Sequence, residues 1–198
     1  MVYNMDNNKI IYFHGFGSSC HGSTVKSLQE LLPEFTIVAR DIFVDPKDAL
    51  PQLKALCESE QPEVIVGTSM GGMYAQQMRG FKRICINPAF YISKHKEVLR
   101  EGTFEFFNQR TDGETTFTIT PEIINHFVEM EAHQFDGITD EEREKVYGLF
   151  ADGDTTVNCE DIFRQHYKNV IHFHGEHRLN RQVIEDVLVP LIREITKK

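Results

Sequence analysis

The hexapeptide Gly67-Thr68-Ser69-Met70-Gly71-Gly72 follows directly on the β-branched run Val64-Ile65-Val66, and no other stretch constrains the chain as tightly. The pattern predicts a serine at the tip of a sharp strand-to-helix turn, a nucleophile elbow. A strand that reverses into a helix within a few residues brings two backbones together, and side chains at 67 and 71 would collide. The serine is then forced into a strained backbone region with its hydroxyl above the sheet. G-x-S-x-G also arises by chance, and an ordinary tight βα turn is the alternative. The apolar run before it and the helix-like Met73-Tyr74-Ala75-Gln76-Gln77-Met78 after it favour the elbow.

Around this turn, short apolar runs alternate with longer amphipathic segments. Strands are predicted at Lys9–Phe13, Thr36–Ala39, Val64–Val66, Arg83–Ile86, Val146–Phe150 and Val170–Phe173. Their nearly continuous apolar character suits parallel strands covered on both faces. Helices are predicted at Ser23–Leu32, Lys47–Glu60, Ser69–Arg79, Asn158–Tyr167 and Arg181–Ile195. In the last, Val183, Val187, Leu191 and Ile195 mark one buried face, and Pro190 predicts a kink. The expected fold class is α/β: a doubly wound, mainly parallel sheet of about six strands built from right-handed crossovers. The 198 residues fit one domain, 1–198.

One connection is too long for a simple crossover. Residues 88–145 contain no convincing strand of the main sheet, but their aromatic content (Phe104, Phe106, Phe107, Phe117, Phe127) argues for packing. Thr115–Ile119 alternates like a small strand. Thr120-Pro121 and Thr139-Asp140 read as helix starts. The excursion is expected to form a helical cap over the C-terminal edge of the sheet.

A serine hydroxyl needs a neighbouring base, normally a histidine held in one tautomer by a carboxylate. In a doubly wound sheet these groups belong in loops after strand C-termini. His177, beyond the strand that ends in His172-Phe173-His174, is the expected general base. Asp154 is the expected acid, with Asp152 as its rival and a plain helix-capping turn as the bland alternative. The chain order Ser69, Asp154, His177 is that of α/β-hydrolases. Backbone N–H groups of Met70 and Phe16 are the expected oxyanion donors, Phe16 sitting in the loop His14-Gly15-Phe16-Gly17-Ser18-Ser19. His14 is expected to brace that loop. The loop lacks G-x-G-x-x-G and any Gly-Lys-Ser/Thr, which argues against a nucleotide site. The run His172-Phe173-His174-Gly175-Glu176-His177 resembles a zinc-ligand motif, but no histidine follows in the last 21 residues. No metal or cofactor is therefore expected, and His172 and His174 are expected to be packed or hydrogen-bonded. The remaining histidines offer no paired context, and solvated charge is the simplest reading of Arg178.

A formal net charge of −9 argues against a nucleic-acid or anionic-membrane surface. The polar start and the short run Ile10–Phe13 suit neither a signal peptide nor a membrane span, so a cytoplasmic location is expected. Four scattered cysteines fit reduced thiols.

With these parts in place, the chain resembles the bacterial YqiA-like small esterases, minimal α/β-hydrolases. Ile11-Tyr12-Phe13-His14-Gly15-Phe16-Gly17-Ser18-Ser19, Gly67-Thr68-Ser69-Met70-Gly71-Gly72 and Ile86-Asn87-Pro88-Ala89 are similar to its motifs. So are Asp112-Gly113-Glu114 with Ile119-Thr120-Pro121-Glu122, Gly153-Asp154 and His177. The departure is His174-Gly175-Glu176-His177-Arg178-Leu179, where the family commonly shows G-G-x-H-A-F. The resemblance implies hydrolysis of short acyl esters, with a small-molecule ester as the partner. A thioesterase, lactonase or small peptidase would use the same constellation. A catalytically silent scaffold that binds a ligand or protein is the reading from another class.

Overall fold

The computed structural model describes residues 8–197, so the polar residues 1–7 lie outside the described part. Six parallel strands form the main sheet: β1 (Lys9–Phe13), β2 (Thr36–Ala39), β3 (Val64–Thr68), β4 (Lys82–Ile86), β7 (Val146–Ala151) and β8 (Asn169–Phe173). Their order is β2-β1-β3-β4-β7-β8. The sequence direction reverses between β1 and β3, the switch point where such sheets hold their sites.

Alternation along the strands splits the core into two layers. Ile11, Phe13, Ile65 and Cys85 face α2 (Pro46–Glu60), α3 (Met70–Ala75) and α6 (Glu160–His166), which supply Leu53, Met73 and Phe163. Ile10, Val64, Val66, Ile84 and Leu149 face α1 (Ser23–Leu31) and the C-terminal helical segment. All five of these strand residues are fully buried, as the continuous apolar runs require.

Three helices differ from the pattern expectation, two by more than one residue at an end and one by being broken into pieces. Helix α3 ends at Ala75 because the Gln76 carbonyl accepts from the Arg79 and Arg83 side chains (2.9 Å for Arg83). Helix α6 starts at Glu160, two residues later than expected. The C-terminal helix is three pieces: α7 (Arg181–Val183), a π-turn over Ile184–Leu188, and α8 (Val189–Thr196). Pro190 has no N–H to donate, and the wider turn ahead of it, with Val189 N–H bonded to Ile184 O, absorbs the lost bond. The buried face shifts accordingly to include Ile184, Leu188 and Ile192.

The 88–145 excursion is not wholly helical. It opens with a 3₁₀ turn (Ile92–Lys94) and an antiparallel hairpin of β5 (Gly102–Glu105) and β6 (Thr116–Ile119). Helices α4 (Pro121–His133) and α5 (Asp140–Glu144) follow, capped by Thr120 and Thr139. Strand β5 has no apolar run because it pairs only with β6 and three of its four residues are exposed. Among the described residues no helix is long and apolar enough to cross a membrane.

Candidate active site

Strand β3 ends at Thr68 and α3 begins at Met70, which leaves Ser69 alone in the turn with φ 57° and ψ −120°. That conformation costs a non-glycine residue roughly 1–3 kcal/mol, so the surroundings must enforce it. Ser69 N–H donates to Ile86 O (2.9 Å), and Ser69 O accepts from Met73 N–H and Ala89 N–H (both 3.1 Å). The flanking glycines are a matter of space. A Cβ on Gly67 would lie 2.1 Å from Gly71 O, and one on Gly71 would lie 2.1 Å from Phe13 O.

The loops after β7 and β8 meet beside this turn. Their strand pairing continues past the sheet through Asp152 N–H to Phe173 O (3.1 Å) and Gly153 N–H to Gly175 O (3.0 Å). Asp154 and His177 are thereby brought together. His177 Nδ1 donates to Asp154 Oδ2 (2.7 Å), and His177 Nε2 lies 3.0 Å from Ser69 Oγ. A carboxylate can only accept, so Nδ1 carries the proton and Nε2 is left to accept from the serine hydroxyl. The other Asp154 oxygen accepts from Thr156 N–H (2.8 Å) and Val157 N–H (3.0 Å). Asp154 thus organises its own turn as well, but it does not cap α6, whose N-cap is Cys159. The Asp154 side chain is only 4% exposed. The linked chain Ser69–His177–Asp154 can move a proton from hydroxyl to imidazole while the carboxylate faces the charge that forms.

The rival acid is elsewhere. Asp152 bonds the His174 ring (3.0 Å) and Gly175 N–H (3.2 Å) on the surface, and this carboxylate raises the pKa of His174. His172 bonds Glu160 (2.9 Å). Both histidines are hydrogen-bonded but exposed, not packed, because β8 is the sheet edge. They bind separate carboxylates, and among the described residues no group of three or more such side chains could hold a metal. Several other histidines do have partners: His126 bonds Asp45 (2.9 Å) and joins α4 to α2, His133 bonds Asp136, and His166 stacks on Phe135.

The loop after β1 lies against the serine. A Cβ on Gly15 would sit 3.6 Å from Ser69 Cβ. His14 braces this loop from beneath: Nδ1 donates to Gly15 O (2.8 Å) and Nε2 accepts from Ile42 N–H (3.1 Å). Burial pushes its pKa down to about 4, so the ring is neutral at physiological pH. Phe16 lines the cavity in front of Ser69. Met70 is the first residue of α3, where a backbone N–H has no intrahelical acceptor.

That cavity holds about 780 Å³ and is bounded by Ser69, His177, Phe16 and, from the excursion, Val98, Phe104 and Phe107. Phe107 N–H donates to Gly17 O (2.8 Å), which fixes the excursion to the β1 loop. Arg178 lies 5.4 Å from the Phe107 ring, in cation–π range, so the residue after His177 is part of the wall and not merely solvated charge. All four cysteines are free thiols: Cys57, Cys85 and Cys159 are buried, and Cys20 is half-buried. One residue assigned no role by the sequence argument stands at the centre of the site. Asn87, 2% exposed, bonds the main chain of both Ala151 and His177. Its partners lie 64 and 90 residues away, beyond the reach of any local pattern.

Comparison with solved structures shows that the chain shares the α/β-hydrolase fold. It is similar to Est1E from Butyrivibrio proteoclasticus (TM-score 0.65, 17% identity, 96% of this chain and 88% of that one). It is similar also to the esterase domain of a Rhodothermus marinus protein (0.66, 16%, 98% and 89%). A third likeness is to alpha/beta hydrolase domain-containing protein 10 from mouse (0.64, 14%, 96% and 89%). No curated protein matches the chain significantly. The family model described as "Uncharacterised protein family (UPF0227)" matches residues 9–181, from the first strand to the start of α7, and the chain belongs to that family, the YqiA-like group its motifs resemble.

Proposed function

We propose that the protein is a serine hydrolase that cleaves short-chain carboxylic esters through an acyl-enzyme on Ser69. The observation that carries the reading is the unbroken hydrogen-bonded chain from Ser69 Oγ through His177 to Asp154, 3.0 and 2.7 Å long, opening on a cavity. Ser69 Oγ attacks the ester carbonyl carbon while His177 Nε2 takes its proton. Asp154 stabilises the imidazolium. The backbone N–H groups of Phe16 and Met70 receive the developing oxyanion. The tetrahedral intermediate collapses, the C–O bond to the alcohol breaks, and His177 returns the proton to the departing alkoxide. Water then attacks the acyl-enzyme by the same route, releasing the acid and restoring Ser69.

Residues 88–145 act as a cap in this reading, because they supply the outer wall of the cavity. The phenylalanine lining suits an ester with an apolar arm, and the volume exceeds what an acetyl group needs. The esterase domain among the structural neighbours supports ester hydrolysis as the reaction class. Turnover of p-nitrophenyl acetate by the wild type and by Ser69→Ala tests the proposal. The variant should keep its circular dichroism and melting temperature and lose at least about a thousand-fold in kcat/KM. A variant that retains full activity would exclude Ser69 as the nucleophile.

A further inference from the structure

Asn87 contributes no wall to the cavity, yet its side chain is bonded to the end of the strand that leads to Asp154 and to the main chain of His177. It follows β4 immediately, in the left-handed region at φ 40°, where asparagine is enriched over most residues. Its Oδ1 accepts from Ala151 N–H (2.8 Å), the last residue of β7 and three before Asp154. Its Nδ2 donates to His177 O (3.1 Å) and Glu176 O (3.3 Å). Its own N–H donates to Leu149 O (2.9 Å). On either side of it, Ile86 O accepts from Ser69 N–H (2.9 Å) and Ala89 N–H donates to Ser69 O (3.1 Å). One four-residue segment therefore holds the main chain at Ser69, at the strand that leads to Asp154, and at His177.

We propose that Asn87 is a positioning residue for acyl transfer, setting the His177 imidazole between Ser69 Oγ and Asp154 by clamping the His177 carbonyl to the end of β7; this rests on the Ser69 reading above. The chemistry of the head group makes the assignment specific. The site presents one N–H and two carbonyls, so it needs one acceptor and two donors on the same planar group. A carboxylate matches only the first, and an aliphatic side chain matches neither. A geometric error of about 1 Å at a reacting group costs on the order of a hundred-fold in rate.

The experiment measures kcat and KM for p-nitrophenyl acetate, the rate of labelling by a fluorophosphonate probe, and the melting temperature, in wild type, Asn87→Asp and Asn87→Gly. Glycine accepts the left-handed backbone and removes only the clamp, so it isolates the side chain from strain. Expected are folded variants whose kcat and labelling rate fall roughly ten- to a hundred-fold with KM within about twofold. In Asn87→Asp the ratio of variant to wild-type kcat should rise as the pH is lowered, because a protonated carboxyl again donates to a carbonyl. A merely structural residue would lower the melting temperature and leave kcat and this pH-dependent ratio unchanged. Wild-type activity and labelling with both variants at wild-type kcat would overturn the role of Asn87 and leave Ser69 standing. A wild type inert to both ester and probe would overturn the Ser69 reading, and this proposal with it.

Discussion

Acid should weaken this fold through His14, and the size of the effect follows from its contacts. The ring is 3% exposed and both nitrogens are committed in the neutral form, one donating to Gly15 O and one accepting from Ile42 N–H. A second ring proton would point at the Ile42 N–H. Desolvation is the main cause that takes the folded pKa from 6.5 to about 4; Arg110 adds to it, while the Gly15 bond and Asp41 oppose it. The unfolded chain therefore takes up the proton first. The stabilisation is complete above about pH 6.5 and is lost as the pH falls towards about 4. Between pH 7.5 and 4.5 the linkage amounts to about 2.5 kcal/mol, a large part of the ~5–15 kcal/mol that holds a typical domain. His14→Gln keeps a donor and an acceptor but cannot titrate. Urea denaturation of both proteins at the two pH values gives a double difference in which carboxylate titrations shared by both cancel. The wild type should lose about 2.5 kcal/mol more than the variant. Losses that agree within about 0.5 kcal/mol would refute the reasoning.

Three other perturbations separate causes. Gly71→Ala would put a methyl 2.1 Å from Phe13 O, and thermal melting should show a loss of about 3 kcal/mol or more, or no folded protein. Glu142→Ala strips the fully buried Arg83 of its carboxylate partner, and denaturant titration should report a cost of about 3–5 kcal/mol; a loss under about 1 kcal/mol would contradict the burial argument. Asp154→Asn should lower kcat for p-nitrophenyl acetate by up to about ten-thousand-fold, whereas Asp152→Asn, whose partner is the surface His174, should stay within about twofold of wild type.

Much of this architecture can be read from the chain because it depends on local pattern. The four inner strands of the main sheet are legible as apolar runs, since strands buried on both faces leave no other option for their side chains. The turn at Ser69 is legible because only glycine fits where Gly67 and Gly71 approach neighbouring backbone. The placement of Asp154 and His177 follows from the rule that such groups sit at strand C-termini, and the two loops do meet there. What local pattern does not carry are the long-range polar contacts. The early end of α3 depends on Arg83, seven residues beyond Gln76, reaching back to its carbonyl. Strand β5 exists only through its pairing with β6. The clamp at Asn87 is visible only once β4, β7 and the His177 loop stand side by side.

The most direct test of the account is the site of covalent labelling. The native protein, treated with a fluorophosphonate probe and digested, should yield one adduct per chain on the peptide containing Ser69. Heat-denatured protein and Ser69→Ala should yield none, since an unactivated serine does not react. An unlabelled native protein, or an adduct on any other residue, would contradict the assignment of Ser69 as the nucleophile.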